Sequence, residues 1–70
     1  MTRESVYSSD VAAIGYDPSL QVLEVEFNDA SVYQYSGVPA YVHAEFMQAP
    51  SKGKYLHANI ARRYSYQRIN

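Results

Sequence analysis

The 70-residue sequence predicts a single α+β domain, in which a three-stranded antiparallel meander is packed on one face by one or two C-terminal helices. Three observations predict this class. Apolar residues make up 47% of the chain, a fraction typical of globular domains. Residues 20–27 alternate with a period of two, as in a half-buried strand. After Gly37 the apolar spacing changes to that of a helix.

The first strand is expected at residues 11–16. Residues 1–10 are mostly polar and are expected to form a loosely ordered lead-in or a short edge segment. Asp17 begins the next turn, where its side chain can cap the backbone and the following proline sets φ. A tight turn closing at Pro18–Ser19 would pair Gly15 with Val22 and Ile14 with Leu23.

The second strand, residues 20–27, is the most strongly patterned segment. Leu23, Val25 and Phe27 lie on one face, and Glu24 and Glu26 lie on the other. With Ile14 on the apolar side, the opposite side is expected to be an acidic, solvated surface that also carries the glutamine at position 34.

The turn after the second strand decides where the central tyrosines of the third strand, residues 31–36, point. A two-residue loop would set Tyr33 and Tyr35 beside the glutamates, whereas a three-residue loop ending at Ala30 pairs them with Val25 and Leu23. Cross-strand partners share a face, so only the second register buries the rings. We therefore predict the three-residue loop, in which Ala30 occupies a left-handed position that normally favours glycine.

The C-terminal half predicts two helices. Pro39 suits the start of the first, residues 39–48, with Val42 and Phe46 as a core pair. Ser51 is the predicted N-cap of the second helix. Its buried face is expected to carry Leu56, Ile60 and Tyr64, and its solvent-exposed face is expected to carry Lys54 and Arg62. Gly53 indicates either a close backbone approach or a short irregular turn near its start, and residues 64–69 fit either a further short strand or an extended tail.

Charge is distributed unevenly along the chain. Residues 1–45 hold seven acidic residues and one basic residue, a net charge of −6, whereas residues 46–70 hold five basic residues and no acid, a net charge of +5. Such asymmetry points to an anionic partner at the basic end. The alternative is that the two halves neutralise each other across the folded domain.

Several function classes lack support in the sequence. The chain has no cysteine, which removes disulfides and thiolate chemistry. The two histidines, His43 and His57, have no neighbouring set of metal ligands, and no serine lies in a nucleophile motif. We expect no catalytic residues, no metal and no cofactor. No apolar run approaches the ~18 residues of a membrane span, so a soluble, cytoplasmic module is expected.

A set of motifs in fixed order resembles the KTSC domain family, named for the C-terminal region of some lysyl-tRNA synthetases. The resemblance covers about residues 5–69. It rests on Ile14-Gly15-Tyr16-Asp17, Tyr33-Gln34-Tyr35, Val38-Pro39, Ser51-Lys52-Gly53-Lys54-Tyr55, Ile60 and Tyr64. The hairpin turn departs from the family pattern, which often has glycine where this chain has Ala30. The resemblance implies a small bacterial domain without an established function, for which RNA binding has been suggested, and the motif residues are expected to be structural.

The remaining candidates for function lie in the basic half. Because the predicted register buries the central tyrosines, we assign a nucleic-acid-binding hypothesis to the C-terminal segment rather than to the sheet. Its residues are Lys52, Lys54, Arg62, Arg63, Tyr66 and Arg68. Basic side chains would engage the phosphates of RNA or tRNA, and Tyr66 would stack on a base. The rival hypothesis is a protein-interaction module, in which the same residues meet an acidic protein surface or a second copy of the chain.

Overall fold

The computed structural model describes residues 1–70 and contains five strands and two helices. In chain order they are β1 (Arg3–Ser5), β2 (Val11–Asp17), β3 (Val22–Phe27), β4 (Val32–Ser36), α1 (Ala40–Gln48), α2 (Lys52–Asn59) and β5 (Tyr66–Arg68). The strands form one antiparallel sheet in the order β1-β2-β3-β4-β5. The α+β class is confirmed, and the predicted meander gains one strand at each edge. Neither helix is long and apolar enough to cross a membrane.

The β3–β4 hairpin has the predicted register. The Phe27 N–H donates to the Ser31 carbonyl oxygen at 2.9 Å, which closes a three-residue loop, and Val25 pairs with Tyr33. Ala30 adopts φ 73°, inside the left-handed region that favours glycine. The loop therefore places both central tyrosines on the apolar face of β3.

The predicted register of the β2–β3 hairpin is wrong by two residues. Ile14 pairs with Val25 rather than with Leu23, and residues 18–21 form the connection. The Asp17 carboxylate accepts hydrogen bonds from two backbone N–H groups of this connection, at 2.9 and 3.2 Å. Gln21 closes it with φ 55°. A shift of two residues leaves every side chain on its expected face, so Ile14 still joins the core.

The core lies between the sheet and the two helices. Tyr35 is 5% exposed, and Tyr33 is half-buried and packs against the core, which confirms that both rings point inward. The fully buried side chains come from the sheet, the helices and the segments beside them: Val11, Ile14, Leu23, Val25, Val38, Phe46, Leu56 and Ile60. Val42 is also buried, as predicted for the α1 core pair.

The start of α2 shows why serine and glycine stand there. The Ser51 hydroxyl accepts from the Lys54 N–H at 3.3 Å and so caps the helix as predicted. A Cβ at Gly53 would lie 2.8 Å from the Asp10 carboxylate, so the close approach is to the end of a side chain rather than to the backbone as predicted. The helix ends at Asn59, so the half-buried Tyr64 lies beyond it rather than on its buried face.

The sheet face away from the helices, here called the open face, is not the solvated acidic surface that the sequence predicted. Glu24 is only 4% exposed. The Arg3 side chain forms ion pairs with Glu24 and, at 3.2 Å, with Glu26. The Gln34 side-chain amide donates to the second oxygen of Glu24 at 2.8 Å. Burial alone would raise the pKa of Glu24, but these hydrogen bonds and the Arg3 charge outweigh it and hold the pKa below its usual value.

Gly15 makes the Arg3–Glu24 contact possible. It pairs with Arg3 on one side and with Glu24 on the other, instead of with Val22 as predicted. A Cβ at Gly15 would lie 2.8 Å from the Thr2 carbonyl oxygen and 3.1 Å from Arg3 Cγ. The missing side chain therefore lets Arg3 cross β2 and reach the carboxylate on β3.

Candidate nucleic-acid interface

Strand β5 carries two of the candidate binding residues on the helix side of the sheet. Tyr66 pairs with Tyr35 and Arg68 pairs with Tyr33. Since cross-strand partners share a face, both side chains lie on the side where Tyr35 is buried. The sequence left residues 64–69 as a strand or a tail. The strand is what brings Tyr66 and Arg68 next to the central tyrosines.

Tyr66 is the outermost ring of a continuous aromatic patch, which we define as Phe27, Tyr33, Tyr35 and Tyr66. Its ring centroid lies 5.5 Å from that of Tyr33 and 5.9 Å from that of Tyr35. Tyr33 in turn meets Phe27 edge-on at 5.6 Å. These contacts hold the Tyr66 ring while leaving 61% of the residue exposed. A supported ring with a free surface can accept a stacked base.

The five basic residues of the C-terminal half, here called the cationic segment, have no carboxylate partner. They are Lys52, Lys54, Arg62, Arg63 and Arg68. The two ion pairs of the protein both belong to Arg3 and lie within the N-terminal half. No ion pair therefore joins the two halves directly, although the Arg68 charge acts on Asp29 of the acidic half.

Within the cationic segment, two side chains make hydrogen bonds to the backbone. Lys52 Nζ donates to the Ala49 carbonyl oxygen at 2.6 Å, and Arg68 Nε donates to the Asn70 carbonyl oxygen at 2.8 Å. Neither side chain forms an ion pair with a side-chain carboxylate. Arg68 also influences the turn opposite: hydrogen bonds from Ser31 hold the pKa of Asp29 below its usual value, and the Arg68 charge adds to that shift.

The structure divides the cationic segment into two groups. Arg68 shares a strand face with Tyr66, and the exposed Arg62 and Arg63 lie in the turn that leads into β5. Lys52 and Lys54 lie instead in the first turn of α2, a helix of eight residues that spans ~12 Å. The three arginines and Tyr66 therefore lie within seven consecutive residues, 62–68, apart from the two lysines of α2.

A polar groove lies beside α2. It has a volume of about 620 Å³ and is lined by seven residues, including Ser9, Asp10, Ser51 and His57. The Ser51 hydroxyl is engaged in capping α2. The Ser9 hydroxyl and the His57 ring line the same groove without a hydrogen bond between them.

His43 has a structural environment. Its ring stacks on Tyr16 at 4.7 Å with an interplanar angle of 10°. Burial lowers the pKa of His43, against a smaller opposing effect of Glu4. No group of three histidine and carboxylate side chains in the protein is placed to hold a metal ion.

The motif residues of the sequence contact the protein interior or its turns. The Tyr16 hydroxyl donates to the Val38 carbonyl oxygen at 2.5 Å. The Tyr55 ring stacks on Phe46 at 5.6 Å, and its hydroxyl donates to a Glu45 carboxylate oxygen at 2.7 Å. Asp17, Ser51 and Gly53 act in turns and capping as described above, Pro39 is the N-cap residue of α1, and Ile60 is fully buried.

Sequence reasoning missed two features of this surface. The first is the contact between Tyr33 and Tyr66. Tyr33 was placed on the inward side, but its role with Phe27 in extending the patch beneath Tyr66 was not predicted. The available signal was the spacing of Tyr33 and Tyr35 within one strand, together with Tyr66 in a second alternating segment. The signal was weak because β4 and β5 are far apart in the chain, so their pairing does not follow from local sequence. The second is the removal of Glu24 from solvent, for which Gly15 was the only sign in the sequence.

Comparisons with known proteins give a consistent result. The model of the KTSC domain family matches residues 7–64. The chain is 39% identical to a lysine–tRNA ligase of Nostoc sp. over 62 residues, which cover 89% of this chain and 11% of the ligase. It is 37% identical to an uncharacterized protein of Stutzerimonas stutzeri over 71 residues, with both chains covered in full. The crystal structure of a KTSC domain protein from Yersinia pestis superposes with a TM-score of 0.95, at 39% identity and with 99% and 97% of the two chains covered.

Proposed function

Because the chain belongs to the KTSC domain family, and a similar segment makes up about a tenth of a lysine–tRNA ligase, we propose that it is a non-catalytic RNA-binding module. Its first candidate ligand is tRNA, the substrate named for that relative. The proposal includes a location in the bacterial cytoplasm, where such a ligand is available. The binding surface consists of the arginines of the cationic segment together with Tyr66.

The observation that carries this proposal is the pairing of free positive charge with a supported, exposed ring. Arg62, Arg63 and Arg68 have no carboxylate partner, and Tyr66 rests on Tyr33 and Tyr35 with its outer surface in solvent. Basic side chains that bind phosphates release condensed counterions, which drives association. A tyrosine that is already packed loses little conformational freedom when a base stacks on it.

The same geometry favours unpaired nucleotides over duplex RNA. A base stacks on Tyr66 only if it is splayed out of its own helix, as in loops and single-stranded ends. Arg68, two residues along the same strand face, then lies beside the stacked nucleotide. Arg62 and Arg63 extend the contact along the backbone of the RNA.

Titration of the isolated protein with a labelled tRNA pool and with a single-stranded oligonucleotide tests the proposal. We expect affinity to fall steeply between ~50 and ~200 mM salt. Replacing Arg62 and Arg63 by glutamine should lower the slope of log K against log salt by about 1.4, at ~0.7 per phosphate contact of a single strand. The matched control is Ala44→Glu/Gln48→Glu, which changes the net charge equally on the exposed side of α1. It should leave the slope unchanged.

Substitution of tyrosines tests the stacking contact separately from charge. Tyr66→Ala should weaken binding by about 5- to 150-fold, which corresponds to the ~1–3 kcal/mol of one base–aromatic stack. Tyr41→Ala is the matched control, because Tyr41 is 65% exposed but lies on α1 away from the patch. Absence of binding at the lower salt, or equal losses in the two tyrosine variants, would overturn the proposal in favour of a protein partner.

A further inference from the structure

Strand β5 is an uncovered edge of the sheet. It is the last strand in the order β1-β2-β3-β4-β5, and all three of its residues are exposed. Such an edge presents unpaired backbone N–H and C=O groups that can pair with another strand. It contains no proline and no acidic residue, and its protection is limited to its short length and the positive charge of Arg68.

The hydrogen-bond pattern shows which backbone groups of β5 face outward. Ser36 N–H donates to the Ser65 carbonyl oxygen at 2.9 Å, and Ile69 N–H donates to the Val32 carbonyl oxygen at 2.8 Å. In an antiparallel ladder, bonded pairs alternate with non-bonded ones. Residues 65, 67 and 69 therefore direct their groups toward β4. The N–H and C=O groups of Tyr66 and Arg68 point to the free edge.

This pattern selects one symmetric register for a second copy of the chain. With a two-fold axis at Gln67, Tyr66 of one copy forms a bonded pair with Arg68 of the other, and all four outward-facing residues are used. The Gln67 side chains meet on the open face. A register centred on Arg68 would instead place two guanidinium groups opposite each other, and one centred on Tyr66 would use half of the edge.

The side chains in this register are complementary. Tyr66 and Arg68 of the two copies form the four corners of a square on the helix side, with tyrosine and arginine at alternate corners. Each guanidinium therefore has one tyrosine ring beside it on its own strand and another opposite it on the second copy. Bonded cross-strand partners have Cβ atoms ~5.5 Å apart, so the long arginine side chain can bring its guanidinium within the ~6 Å of the ring centroid that a cation–π contact requires. Like residues are separated along the diagonals of the square. Strand β1 lacks this complementarity, because a two-fold axis at its centre would oppose two copies of Glu4.

We propose that two copies of the chain pair through β5 in the Tyr66–Arg68 register and form a continuous ten-stranded sheet. The contact involves three residues from each copy. Such a contact buries far less surface than the ~1,200 Å² of a stable interface, so the dimer is weak and its population depends on concentration. A two-fold pairing closes on itself and leaves β1 free, whereas β1–β5 pairing would extend into filaments. This proposal does not depend on RNA binding and is tested without RNA.

Sedimentation velocity and NMR diffusion from ~10 µM to ~1 mM measure the association. Arg68→Gln should weaken it by about 5- to 30-fold, because two cation–π contacts are lost. Arg62→Gln removes the same charge beside the strand and is expected to have no effect. The double swap Tyr66→Arg/Arg68→Tyr restores the alternation and should associate within about 2-fold of the unmodified protein. A monomer throughout the range, or equal behaviour of the two single variants, would refute the proposal.

A direct measurement on the unmodified protein guards against variants in which β5 detaches from β4. In a mixed sample of isotope-labelled and unlabelled protein, isotope-filtered spectra should show a contact between the Gln67 Hα atoms of the two copies, since non-bonded pairs bring the backbones closest. Amide spectra of β4 report whether each variant keeps its sheet. Intermolecular contacts at β1, or none at Gln67, would overturn the register.

Discussion

Replacing Ala30 by glycine should stabilise the protein. At φ 73° an L-residue with a Cβ costs about 1–2 kcal/mol relative to a right-handed conformation. Glycine removes that cost but adds about 0.4–1 kcal/mol of conformational entropy to the unfolded chain. Ala30 is exposed, so no side-chain packing is lost, and its N–H keeps the 2.9 Å bond to the Phe27 carbonyl oxygen. The net gain is about 0.5–1 kcal/mol.

The expected change is an increase in Tm. An unfolding entropy of about 2.1 cal/mol/K per residue over the 70-residue chain converts this gain into a rise of about 3–7 °C. Differential scanning calorimetry of Ala30→Gly against Ala44→Gly gives a matched comparison. The second change is in the exposed interior of α1, where glycine should cost about 1 kcal/mol and lower Tm. If both variants lost stability, Ala30 would not be left-handed. The three-residue loop and the inward register of the tyrosines would then fail with it.

Three further changes follow from contacts in the structure. Gly15→Ala should displace the N-terminal strand, because the new Cβ would meet the Thr2 carbonyl oxygen at 2.8 Å; loss of amide protection in β1 would show this. Gly53→Ala should fold with at most a small change in stability, because its new Cβ would meet only the end of the flexible, exposed side chain of Asp10. A carboxylate with a lowered pKa stabilises the folded state above its unfolded pKa, ~4.3, and loses that contribution as pH falls, so Glu24→Gln should flatten the acid-side decline in stability measured by urea titration at several pH values. Burial and the hydrogen bond to the Glu45 carboxylate raise the pKa of Tyr55 to about 12, so Tyr55→Phe should remove the last phenol to ionise in an alkaline absorbance titration and cost about 0.5–1.5 kcal/mol.

Local chemistry predicted the faces of the strands better than their pairing. Asn28-Asp29-Ala30 offers few ways to turn, and only one of them buries the tyrosines, so the β3–β4 register followed from the sequence. At the first hairpin the proline suggested a tight turn. The Asp17 carboxylate instead supports a longer connection closed by Gln21, and a left-handed glutamine leaves no mark in a sequence. The face survived the error because side chains repeat every two residues.

Contacts between distant parts of the chain explain what the sequence did not predict. Period-two alternation places Glu24 on the side away from the core, which is correct, but exposure depends on what covers that side. Here the cover comes from Arg3, 21 residues earlier in the chain. In the same way, Tyr66 was recognised as available for stacking, whereas its support by Tyr33 required the pairing of β4 with β5.

The placement of the acidic residues bears on the proposed binding of a polyanion by a chain with a net charge of −1. The single charge of Arg3 offsets one of the two negative charges of Glu24 and Glu26 on the open face, while the cationic segment forms no ion pair. The domain measures 28 × 24 × 22 Å, whereas charges in ~0.15 M salt are screened within ~8 Å. Under the proposed function, a phosphate that approaches Tyr66 would respond mainly to Arg62, Arg63 and Arg68, with Asp29 near Arg68 as the opposing charge. The local sign of charge, rather than the total, would then determine whether a polyanion binds there.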